Sequence, residues 1–145
     1  MVPGLTGKSE RIVREEDLVS RLGSVDADVL STPKLIELIE AAAINALQGL
    51  IPSDQLSLGT RVEIRHLSAT PLGMKVVAHA LLKQVDQNRL LFIVDAYAMM
   101  RGRRWPKGNT SVSWCPKSGF LRGWRRKGDD AVLIVLGYRE EVDLV

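Results

Sequence analysis

The chain is expected to fold as an α+β domain, with an antiparallel sheet wrapped around one long helix. Three observations lead there. The stretch Leu30 to Ile51, LSTPKLIELIEAAAINALQGLI, carries apolar residues around nearly its whole circumference, more than the stripe a surface helix needs. Segments of strand character follow it over Ser57 to Ser68, Met74 to Val85 and Arg89 to Tyr97, separated by turn-forming residues. At 145 residues with 46% hydrophobic content, the chain is long enough for one domain with a real core.

Residues 8 to 14 read as a first strand, and Glu15 to Leu22 as a short helix ended by Gly23-Ser24. In the central helix Thr32 suits the N-cap, Pro33 the first helical position, and Gly49 the end of the last turn. Glu40 lies mid-helix with Ile36, Ala43, Ile44 and Leu47 as its helical neighbours, so its carboxylate is expected to face a largely apolar environment. Pro52-Ser53-Asp54 turns the chain into the next strand, where Val62, Ile64 and His66 share one face and Arg61, Glu63 and Arg65 the other. Pro71-Leu72-Gly73 and Asp86-Gln87-Asn88 then make the turns of an antiparallel meander. A buried-type helix followed by such strands outlines the hotdog architecture.

Several function classes are disfavoured. No apolar run reaches the roughly 20 residues of a membrane span, and MVPGLTGKSE lacks a signal-peptide core, so a cytoplasmic protein without membrane contact is expected. A single cysteine, Cys115, and two histidines, His66 and His79, leave little for a metal site, and no cofactor is expected. Internal repeats, glycine-rich phosphate loops and Ser-His-Asp motifs are absent from the sequence. Charge is uneven: residues 1 to 100 hold 10 basic and 12 acidic side chains, 101 to 127 nine basic and no acidic, and 128 to 145 one basic and five acidic. A basic block with interleaved tryptophans is one way to bind nucleic acid.

Residues 9 to about 97 resemble the fluoroacetyl-CoA thioesterase-like family of hotdog thioesterases, through VLSTPKLIELIEAAA, SLGTRVEIRHLSATPLGMKV and LLFIVDAY in that order. The resemblance implies hydrolysis of a small acyl-CoA, CoA entering only as part of the substrate. It implies a catalytic set of Thr32, Glu40 and His66, a site-lining Gly59, and a homodimer with active sites between subunits. Taken singly, Thr32 would be an N-cap, His66 a core or interface histidine and Gly59 a strand kink. Together they match what thioester chemistry requires. Glu40 would activate water or attack the acyl carbon, and Thr32 would position the substrate carbonyl or the carboxylate. His66 would hydrogen-bond or protonate the departing sulfur, and the Gly59 backbone could approach the acyl group closely. Residues 15 to 31 contain no Phe, Tyr or Trp, whereas the fluoroacetate-selective member has an aromatic lid near this segment. That difference argues against fluoroacetyl-CoA as the substrate. Glu37 and Lys34 read as a solvated pair and His79 as a strand residue without assigned chemistry. Dimerisation through the sheet is also expected because Met74 to Val85 has few polar residues for an open edge.

The family pattern stops after Tyr97, which divides the chain into a thioesterase-like domain, 1–97, and an atypical segment, 98–145. Back-translating 98 to 127 and reading one nucleotide earlier gives, within codon degeneracy, an acidic turn and then Glu-Gly-x-His-Glu-Arg-Phe-Val-Val-Pro-Lys-Glu-Arg-Phe-Leu, which is similar to the family's ending. A frameshift near codon 98 is the expectation, and it makes the basic block out-of-frame sequence, with nucleic acid an unexpected partner. Thr110 to Trp114 could occupy the final strand position, and Ala131 to Tyr138 has strand character. The rivals to the enzyme are a noncatalytic acyl-CoA-binding hotdog protein and a nucleic-acid-binding module.

Overall fold

The periodicity of the central segment becomes a helix, α1, over Thr32–Ala46, in a computed structural model that describes residues 1–23, 26–53, 55–64, 66, 68–104 and 132–140. Arg104 and residues 132–140 are described by their backbone alone. The side of α1 turned to the sheet carries Leu35, Leu38, Ile39, Ala42, Ala43 and Ala46, all buried, at spacings of three and four residues. Each fully buried Leu or Ile there contributes about 1.5–3 kcal/mol relative to exposure.

The sheet is antiparallel throughout, in the order β1-β3-β4-β6-β2. Its strands are β1 (Thr6–Ile12), β2 (Gln55–Glu63), β3 (Lys75–Asp86), β4 (Arg89–Met100) and β6 (Val132–Glu140), while the two-residue β5 (Arg103–Arg104) pairs with the end of β4. Alternate residues of β3 and β4, Val76, Ala78, Ala80 and Leu82 with Leu90, Phe92, Val94, Ala96 and Ala98, form the face that receives the helix. Small side chains let the helix come close. A Cβ on Gly7 of β1 would overlap the Ala42 carbonyl oxygen and lie 2.9 Å from Ala46 Cα, so this crossing requires glycine. Beside it the Ser9 hydroxyl donates to the Leu38 carbonyl at 2.5 Å.

Several expectations change. The helix is shorter than Leu30–Ile51: its N-cap is Ser31, Thr32 is its first residue, and residues 47–50 form a turn in which Gly49 has φ +76°. Leu30 stays extended because its N–H donates to the Thr70 carbonyl and it bridges Leu18. The first strand sits two residues earlier than expected. Glu15 to Leu22 forms two 3-10 turns, Glu15–Asp17 and Val19–Leu22, instead of one helix. Its middle is drawn into pairing with the chain before α1, with the Ser31 N–H donating to the Asp17 carbonyl (2.8 Å) and the Val19 N–H to that of Val29 (2.9 Å).

The meander holds only for β3 and β4, because β4 and β6 lie between β3 and β2. β3 is therefore interior, and the expected dimerisation argument from an open edge at Met74 to Val85 fails. Among the described residues the outer strands are β1 and β2. β6, Val132–Glu140, overlaps the stretch Ala131 to Tyr138 expected to have strand character, runs two residues past it, and pairs with both β4 and β2; Thr110 to Trp114 lies outside the described residues. Among the described residues no helix is long and apolar enough to cross a membrane.

Candidate active site

Thr32 sits at the head of α1, where its hydroxyl does not cap the helix. It meets His66 instead, with Oγ1 2.9 Å from Nδ1. Regular strand structure ends at Glu63, so His66 belongs to the connection after β2 and not to the strand as expected, although Val62 and Ile64 do pack on the core. Burial pushes the imidazole pKa below its ordinary value, partly offset by the Ser68 backbone, and Nε2 is buried with no hydrogen-bond partner among the described residues. A neutral imidazole with one nitrogen on a hydroxyl and the other unpartnered is suited to exchange a proton with a ligand. The pair lines a cleft of about 240 Å³, walled by Val19, Val29, Leu30, Ser68 and Ala69. No local sequence signal marks these walls. They converge because residues 17–19, 29–31 and 70–71 pair side by side.

Glu40 and Gly59 form a second pair. The Gly59 N–H donates to Glu40 Oε1 at 2.9 Å, and a Cβ on Gly59 would overlap that oxygen and lie 3.1 Å from the carboxyl carbon. Gly59 was expected to leave room for an acyl group; in this chain the room is occupied by the Glu40 carboxylate. A β-bulge between Gly59 and Arg61 interrupts the pairing with β6 at this point.

Glu40 is less enclosed than its neighbours in sequence suggest. Ala43 and Leu47 are buried, but Glu40 and Ile36 are only half-buried and Ile44 is 43% exposed. Thr32, Ile36, Glu40 and Ile44, each four apart, form a row along α1 that the sheet leaves partly open. Glu40 is eight residues from Thr32 along the helix, a rise of about 12 Å, so the two pairs occupy separate places in one chain. Among the described residues no hydrogen bond joins them, and Glu40 and Gly59 do not line the Thr32–His66 cleft.

Lys34, Glu37 and His79 have partners elsewhere. Lys34 pairs with Glu37 at 2.8 Å as expected, and Glu37 also accepts from Arg11. His79 lies on the sheet face away from the helix, its Nε2 3.1 Å from the Tyr97 hydroxyl and its ring stacked on that of Tyr97 at 5.7 Å.

The profile of the family described as fluoroacetyl-CoA-specific thioesterase (FlK) matches residues 13–102, more than half of the chain. The fluoroacetyl-CoA thioesterase of Streptantibioticus cattleyicolor is 33% identical over 70 residues, which are 48% of this chain and 50% of that protein; the chain thus spans about half the length of this relative. A Thermus thermophilus thioesterase-superfamily protein superposes with a TM-score of 0.69 at 20% identity, over 96% of this chain and 84% of its own. A variant of the fluoroacetyl-CoA thioesterase FlK bound to fluoroacetate and CoA superposes with a TM-score of 0.65 at 20% identity, over 97% and 96% of the two chains. At that identity the superpositions establish the hotdog fold. The profile match establishes more: the chain belongs to the fluoroacetyl-CoA-specific thioesterase family.

Proposed function

We propose that this protein hydrolyses a small acyl-CoA thioester to the free acid and CoA, and that it does so as a homodimer. The observation that carries the reading is the Thr32–His66 hydrogen bond at the head of the central helix, inside a cleft with aliphatic walls. The thioester carbonyl lies against the first turn of α1, where no side chain among the described residues caps the helix and the N–H dipoles favour a developing oxyanion. Glu40, held by the Gly59 N–H, removes a proton from water, whose oxygen attacks the acyl carbon. The tetrahedral intermediate collapses with cleavage of the C–S bond, and the proton that Glu40 took from water passes through the Thr32–His66 pair to the departing sulfur, giving the CoA thiol and leaving both groups as they began. Val19, Val29 and Leu30 in place of aromatic side chains favour short aliphatic acyl groups over a pocket specialised for fluoroacetate.

The dimer is supported by what one chain leaves uncovered. A helix that is apolar all round belongs in an interior, yet the row from Thr32 to Ile44 is partly open. Beside it β2 is, among the described residues, an outer strand, with Leu56 and Leu58 53% and 55% exposed. A second copy laid along β2 covers both and brings its own Thr32–His66 pair toward Glu40. The cytoplasm is the compartment consistent with this substrate. The test is release of free thiol from a panel of acetyl-, isobutyryl-, hexanoyl- and fluoroacetyl-CoA, with sedimentation on the same sample. Turnover of the short acyl-CoAs by a dimer is expected; binding without turnover would favour a noncatalytic acyl-CoA-binding protein.

A further inference from the structure

Asp17 is an acid the proposed chemistry does not use, and it is 1% exposed. Both carboxylate oxygens are satisfied: Oδ1 accepts from Arg11 Nη1 at 2.6 Å and Oδ2 from the Arg14 N–H at 3.0 Å. The second terminal nitrogen of the same guanidinium, Arg11 Nη2, donates to Glu37 on the second turn of α1 at 2.8 Å. One planar fork therefore joins β1, the first 3-10 turn and the central helix, a geometry that arginine provides and lysine does not.

What Asp17 anchors is the wall of the Thr32–His66 cleft. Its carbonyl accepts the N–H of Ser31, the residue before Thr32, at 2.8 Å. The next residues pair on: Leu18 bridges Leu30, and the Val19 N–H donates to the Val29 carbonyl. Leu30 in turn donates to Thr70, beside the cleft residues Ser68 and Ala69. We infer that Asp17, gripped by Arg11, is a positioning residue that sets the register of the cleft wall and the placement of Thr32 against His66. This rests on the thioesterase reading above, because Thr32 and His66 are the groups being positioned.

The test substitutes Asp17→Asn, which preserves shape but removes the charge Arg11 grips, and Arg11→Lys, which preserves charge but breaks the fork. Short acyl-CoA hydrolysis is measured together with NMR titration of the His66 ring. In the folded variants kcat is expected to fall by about tenfold or more with a much smaller change in KM, as misplaced reacting groups produce. The His66 pKa is expected to rise toward its ordinary value as water enters the loosened cleft. A purely structural Asp17 would lower the melting temperature while kcat and the His66 titration stayed at their parental values, and that result overturns the inference. If Asp17→Asn does not fold, Arg11→Lys decides by the same two readouts. An inactive parent would defeat the thioesterase reading alone, since the His66 titration still reports whether Asp17 positions the cleft.

Discussion

The two polar pairs on α1 are built differently. At its head, Thr32 and His66 face each other in a cleft whose walls come from the same chain, and burial depresses the imidazole pKa. At its middle, Glu40 meets Gly59 of β2, a strand with exposed leucines, on a row of α1 that the sheet leaves partly open. The first pair has a half-buried imidazole in an open cleft lined by its own chain; the second has a fixed geometry and no such cleft lining it. Within one chain the two pairs stay apart, and the proposed dimer is what would bring them together.

The largest expected effect is on turnover. Glu40→Ala and His66→Ala should each lower kcat by about 10²–10⁴, the range for losing a general acid or base, with far-ultraviolet circular dichroism unchanged. Parental activity in either variant would remove that residue from the chemistry. Gly59→Ala is the sharper probe of the second pair. Its added Cβ must displace the Glu40 carboxylate, the movable end of a flexible side chain, so activity should fall by about tenfold or more while stability changes by less than about 1 kcal/mol.

Thr32→Ala separates the hydroxyl from the helix. Because Ser31 is the N-cap, alanine at position 32 should cost little of the roughly 1 kcal/mol a lost cap would, while Thr32→Ser should preserve activity that Thr32→Ala loses. Comparing melting temperature with kcat for the two variants checks this. The smallest effect is on the pH dependence of folding. The folded-state pKa of His66 lies below its ordinary value of 6.5, so the unfolded chain binds the proton more readily. The stability this contributes is complete above about pH 6.5 and declines as pH falls through the depressed folded-state pKa. His66→Gln should flatten that part of the denaturation profile.

The sequence made the local features legible. The apolar density of Leu30 to Ile51 announced a helix in need of burial, and Met74 to Val85 and Arg89 to Tyr97 announced β3 and β4; with apolar residues nearly all round, the spacing did not say that Leu35, Leu38, Ile39 and Ala42 would face the sheet. What it concealed depends on distant pairing. Thr32 looked like a cap because a threonine before a proline usually is one, and only the path of the chain after β2 gives its hydroxyl to His66. Glu40 looked enclosed because the neighbours counted were helical ones, whereas its surroundings depend on β2 and the bulge at Gly59. The apolar run in Val132–Glu140 announced a strand, but not its place between β4 and β2, because no local pattern encodes sheet order.

Mixing two inactive variants tests most directly whether the halves of the site meet across a subunit boundary. Glu40→Ala and His66→Ala chains carrying different affinity tags are coexpressed, and the doubly tagged dimer is isolated and assayed with a short acyl-CoA. Each such hybrid holds one intact site, so about half of the parental activity per dimer should return. Activity no higher than that of the two single variants, in a dimer shown to carry both tags, would mean that Glu40 works with the His66 of its own chain, and would contradict the account.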